Sequence, residues 1–217
     1  MMYSPISAGT PSWDVPLNAA LTDQDSRITT AVDRIGAAEA KLDYNPTDQG
    51  LISWTFDPAT NITAQSALTS GQLYMVRLAV RSAATVSTVV VPVGTAGSSL
   101  TAGQSLVGLY SPTGTLLAQS ADQSANWTST GVKSVSLTSP ASVTAGYYVV
   151  GVMSNGGTPP SLFRGSNASI GATFPNIGLS AENSRFATHG AGLTALPSSV
   201  SMASRTPTTG AVWVGLM

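Results

Sequence analysis

Residues 105–119 read SLVGLYSPTGTLLAQ, and this stretch decides the fold class. Two apolar runs, 105–110 and 115–119, flank Ser111-Pro112-Thr113-Gly114. Proline presets φ for the second position of a type I turn, and glycine suits the fourth. The stretch predicts a β-hairpin.

The same pattern recurs outward in both directions. Residues 51–57 (LISWTFD) alternate apolar and polar, as a strand does. Residues 73–81 (LYMVRLAVR) predict a strand whose apolar side chains occupy both faces, so both are expected to be partly buried. Residues 85–93 are rich in β-branched side chains, which favour pleated surfaces. Pro92 is expected to mark the end of that strand or a sheet edge. On the C-terminal side, 132–137 alternates cleanly, and Ala145-Gly146 turns into a buried strand at 147–153. Residues 162–164 and 211–216 predict two more strands. About eight short strands with regular turn signals predict an antiparallel, jelly-roll-like β-sandwich. Residues 165–208 lose periodicity. Ile170, Phe174, Ile177, Leu179, Phe186, Leu193 and Leu196 are scattered through them. An irregular segment that long is expected to be functional or packed on a partner.

Residues 14–42 (DVPLNAALTDQDSRITTAVDRIGAAEAKL) follow a different period. Leu21, Ile28, Ile35 and Leu42 recur every seven residues, as heptad position a does. Position d is then Gln24, Ala31 and Ala38. Position g is Arg27, Arg34 and Lys41, and position e is Asp25, Val32 and Glu39. In a parallel coiled coil Arg34 would meet Glu39 of a second copy. Asp14 and Pro16 suit a helix start, and Pro46 blocks continuation. Gly36 costs about 1 kcal/mol relative to alanine. The stretch predicts a helix roughly 40 Å long. It either associates with copies of itself or packs on its own domain. Before it, residues 1–13 (MMYSPISAGTPSW) read as an arm anchored by Tyr3, Ile6 and Trp13, or as a disordered terminus. Residues 43–50 (DYNPTDQG) form a polar junction.

Only 9% of the 217 residues are charged, against an ordinary ~25%. So little charge suits a chain whose surface is covered by partners. Residues 1–50 carry seven acids and three bases, and residues 51–217 carry three acids and six bases. Neither part is basic enough to suggest nucleic acid. The chain has no cysteine, no apolar run near membrane-span length, and no signal-peptide pattern at residues 1–10.

Catalytic constellations are scarce. The single histidine, His189, lies in an expected loop, and a triad would need it beside Asp57 or Asp122. Only Asp57, Asp122 and Glu182 are available in the β region for a carboxylate pair. No zinc ligand set and no phosphate loop is present. For sugar binding, the best local cluster is Asp122, Gln123, Asn126 and Trp127, with Tyr110 and Tyr147 as further aromatics. Trp127 is alternatively a core residue, since tryptophan is mostly buried.

Three stretches, 11–28, 71–127 and 131–165, carry a family resemblance, and the first two hold its motifs. Trp13, Asp14, Pro16, Leu17, Asn18, Ala19 and Leu21 match a W-D-x-P-L-N-A-x-L segment. Gly108, Leu109, Tyr110, Gly114, Thr115, Leu116 and Leu117 match a GLY…GTLL hairpin. Over about two-thirds of its length the chain resembles minor tail, fibre and head-fibre proteins of tailed bacteriophages, especially those infecting actinobacteria. It departs from long fibres in being short and free of repeats. The resemblance implies a virion structural component, usually trimeric, fixed to the particle at one end.

The expectation is a mainly β chain in three parts: an anchoring arm at 1–13, an oligomerising helix and junction at 14–45, and a β-sandwich at 46–217. It would be a homotrimer in the virion, assembled in the host cytoplasm. Its expected partners are capsid, tail or baseplate proteins and a host cell-surface glycan, with no nucleic acid, membrane, cofactor or metal. Enzymatic activity is not expected. The other reading is a carbohydrate-binding β-sandwich module without a virion role, which has no need of a homotypic heptad.

Overall fold

The computed structural model describes residues 14–42, 44–60, 63–165 and 174–217. The arm at 1–13 lies outside them. The chain divides into two units between Asn45 and Pro46. The first unit contains α1 (Asp14–Leu42), a helix of 29 residues that runs unbroken through Gly36. Every residue from Ala19 to Ile35 is exposed. The hydroxyls of Thr29 and Thr30 donate to the carbonyls of Asp25 and Ser26, each at 2.9 Å. These bonds satisfy both hydroxyls within the helix.

The second unit is antiparallel β. Its strands are β1 (Ser53–Trp54), β2 (Thr63–Ala67), β3 (Leu73–Val80), β4 (Ala84–Thr95), β5 (Ser98–Leu100), β6 (Leu106–Tyr110) and β7 (Leu116–Gln119). Then come β8 (Gly131–Val143), β9 (Gly146–Met153), β10 (Gly156–Thr158), β11 (Ser161–Arg164), β12 (Phe186–His189), β13 (Thr206–Pro207) and β14 (Gly215–Leu216). One sheet runs β1-β14-β4-β11-β2, with β8 also paired to β4. A second runs β13-β12-β3-β9-β6-β7, and β5 pairs with β10 in a third. The described chain is therefore mainly β, with three antiparallel sheets and one N-terminal helix.

The hairpin forms at β6 and β7. The Gly114 amide donates to the Ser111 carbonyl at 3.0 Å, and Gly114 takes φ +93°. Its positive φ is a conformation that side chains disfavour. The pairing slips between Leu109 and Tyr110, leaving Leu117 as an extra residue on β7.

β3 lies between β12 and β9 and is buried on both faces from Leu73 to Val76, whereas Ala79 further along is exposed. Tyr74, Val76, Leu78 and Val80 enter a core shared with Val89, Val91 and Val93 of β4 and Leu162 of β11. Leu73 and Met75 face the other way, into a second cluster with Tyr110, Val149, Leu196, Val200 and Met202. β4 does not end at Pro92 but continues to Thr95. On one side it pairs with β14 at Val89 and Val90, then with β11 at Val93 and Thr95. Pro92 falls in the gap between those partners, where its missing N–H costs no ladder bond. On the other side it lies opposite Val132.

The aperiodic segment is more ordered than its sequence suggests. It contains β12 and β13, which extend the second sheet. Leu193, Leu196, Val200 and Met202 then cover the outer face of β3, β9 and β6. Their backbone docks on the hairpin turn, with the Val200 amide donating to Gly114 O and the Leu116 amide to Ser198 O, each at 2.9 Å. Buried Asn176 accepts from the amides of Arg185 and Phe186 at 2.7 and 3.0 Å. It donates to the carbonyls of Phe186 and Thr208 at 2.9 and 3.1 Å.

Candidate functional site

Leu21, Ile28 and Ile35 at position a are 50%, 58% and 57% exposed, and Val32 at position e is 61% exposed. Gln24, Ala31 and Arg34 are exposed as well. Ala38, Glu39 and Leu42 belong to the same helix, but their side chains lie outside the described residues, as do Tyr3, Ile6 and Trp13. A run of β-branched and leucine side chains in water is unfavourable by about 25 cal/mol per Å² of apolar surface. Such a stripe gains by meeting another apolar stripe.

The expected sugar cluster does not hold together as a platform. Trp127 is fully buried in the main core, so its ring offers no face to a sugar. Its backbone explains the burial: the Trp127 amide donates to Gln123 O and its carbonyl accepts from Gly97, both at 2.9 Å. That short 3₁₀ turn, Asn126–Thr128, directs the side chain inward. Tyr110 is buried too, and its hydroxyl donates to Pro197 O at 3.1 Å. Asp122, Gln123 and Asn126 remain at the surface as loop-forming residues. Asn126 donates to the Gln123 side-chain oxygen at 3.0 Å. Asp122 accepts from the Ser124 hydroxyl at 2.5 Å and from the amides of Ser124 and Ser105 at 3.1 and 3.2 Å. Partial burial pushes the Asp122 carboxyl up, but these hydrogen bonds, with one from the Gly103 amide, outweigh it and hold the carboxyl below its ordinary value. His189 closes β12 opposite Leu73.

A different site lies where the covered face of β3 runs out. Arg77, Ala79 and Arg81 continue, at period two, the face that begins with Leu73 and Met75. Tyr147 of β9 sits opposite Ala79. With Trp54 and Arg185 they line a groove of about 390 Å³. The Arg77 guanidinium carbon lies 4.0 Å from the centre of the Tyr147 ring, and its Nη1 donates to Asn183 O at 2.9 Å. Arg185 Nη2 donates to Thr55 O at 3.1 Å. Arg81 is exposed, and its guanidinium makes no hydrogen bond or ion pair among the described residues. Among the described residues, no carboxylate lines the groove.

Arg205 adds positive charge nearby. It is 3% exposed, and its Nη2 donates to the carbonyls of Ala181, Glu182 and Ser184 at 3.1, 2.7 and 3.4 Å. It therefore holds the same 181–184 turn that Arg77 contacts. Burial, helped by the charge of Arg77 and opposed by Glu182, lowers its pKa to about 10. Its Nη1 is buried without a hydrogen-bond partner among the described residues.

Reading the sequence did not single out this groove. The period-two placement of Arg77 and Arg81 within an otherwise apolar strand was the available signal. The contributions of Trp54 and Arg185 come from distant chain and carried none. Among the described residues, no group of three or more His, Cys, Asp or Glu side chains could hold a metal ion. No described helix is long and apolar enough to cross a membrane. No protein-family model matches the chain, and no curated protein matches it with significance.

Proposed function

We propose that this chain is a bacteriophage virion structural protein, a homotrimeric tail or head appendage without enzymatic activity. The observation that carries the reading is the exposed heptad stripe of Leu21, Ile28 and Ile35. Isolated helices of about three heptads are marginal in water, so burial against copies supplies the missing stability. Basic g positions and acidic residues at two of the three e positions favour a parallel register, in which Arg34 of one copy meets Glu39 of the next. The low charge of the whole chain fits a surface largely covered in an assembly.

In this reading the second unit is a β-sandwich of jelly-roll type. One cluster draws Leu78 and Val150 from the second sheet and Val91 and Leu162 from the first, as two packed sheets would. The N-terminal arm docks on capsid, tail or baseplate protein, and the β unit faces outward toward the host surface.

The test is immunolabelling of purified virions with an antibody raised against residues 46–217. Labelling at one fixed place on the particle, head or tail, is the expected result. Virions that carry none of the chain would overturn the proposal.

A further inference from the structure

We infer that the groove lined by Arg77, Arg81, Arg185, Trp54 and Tyr147 binds a sugar ring carrying an oxyanion, either carboxylate or phosphate. Three guanidinium groups line one groove of about 390 Å³, and among the described residues no carboxylate lines it. Like charges gathered this way repel one another, and an anion between them relieves the repulsion. The guanidinium fork matches carboxylate and phosphate geometry.

Two of the three cations are already positioned. Arg77 is stacked on Tyr147 and tied to Asn183, and Arg185 is tied to Thr55. Binding therefore orders little beyond Arg81. Trp54, half-buried, and Tyr147, 53% exposed with one ring face covered by Arg77, give the groove aromatic surface of the kind a sugar ring packs against. A bare anion would not use that surface. The volume is in the range of small-molecule sites, large enough for one or two rings. This site stands on residues 46–217 alone and does not depend on the assembly reading.

The experiment is calorimetric titration of the full chain with glucuronate, glucose 6-phosphate, inorganic phosphate and glucose. At least one sugar acid is expected to bind saturably, about tenfold more tightly than inorganic phosphate, with glucose showing no binding. Binding by glucuronate alone identifies carboxylate as the recognised group, and binding by glucose 6-phosphate alone identifies phosphate. Arg81→Ala, which loses no hydrogen bond or ion pair among the described residues, should weaken the sugar acid about tenfold at an unchanged melting temperature. Arg81→Lys should recover part of that loss. The proposal fails if glucose binds as well as the acids, if neither acid binds, or if Arg81→Ala leaves affinity unchanged. Inorganic phosphate binding as tightly as the sugar acids would remove the ring from the site.

Discussion

At single positions, the backbone decides what the side chain can be. Gly114 has φ +93°, and a Cβ there would lie 1.9 Å from the Val200 carbonyl oxygen. Gly114→Ala is therefore expected to destabilise the fold by about 2–4 kcal/mol, combining backbone strain with loss of the Gly114–Val200 docking bond. Denaturant unfolding measures it, and a change below about 0.5 kcal/mol would contradict the close approach. Asp122 has a folded pKa below its unfolded one. Its contribution is fully present above the unfolded carboxylate pKa and is lost as pH falls through the folded value. Asp122→Asn should flatten the acid-side fall in stability while leaving the neutral-to-alkaline profile in shape. An equally steep acid fall in the variant would show that the loop bonds do not hold the carboxylate. Trp127 was a sugar candidate by its identity, but a backbone turn that no pattern announces turned it inward.

Among the elements, those set by local chemistry were legible in advance. Pro112 and Gly114 specified the hairpin, and the heptad of leucine and isoleucine specified α1. The mixed faces of residues 73–81 foretold a strand covered on both sides. What covers it was hidden. Leu193, Leu196, Val200 and Met202 pack from irregular backbone, so their spacing follows neither helix nor strand. β12 was hidden for a related reason: four residues beside an aperiodic run give period two no length to show itself. Leu196→Ala is expected to cost about 2–4 kcal/mol, because it opens a cavity over Leu73 and Met75. Urea titration would check it, and a neutral result would mean that the segment is not a structural cover. In α1, Gly36 falls at heptad position b, away from the apolar stripe. Gly36→Ala should raise the stability of the helical assembly by about 0.5–1 kcal/mol, read as a higher melting temperature. A lowered melting temperature would place residue 36 inside the interface and overturn the register.

The whole molecule separates its tasks along the chain. An acidic N-terminal part carries the apolar stripe, and a β part with a basic excess carries the arginine groove. The stripe could be read from sequence because a heptad repeats one local pattern. The groove could not, because β1, β3, β9 and the residue before β12 meet there only after folding. Assembly through α1 is the central claim, and solution mass by light scattering tests it most directly. The full chain should show three times its 22.0 kDa mass, and Ile28→Asp combined with Ile35→Asp should bring it to a single chain. A wild-type chain that runs as a monomer, or a trimer that the double variant leaves intact, would contradict the account.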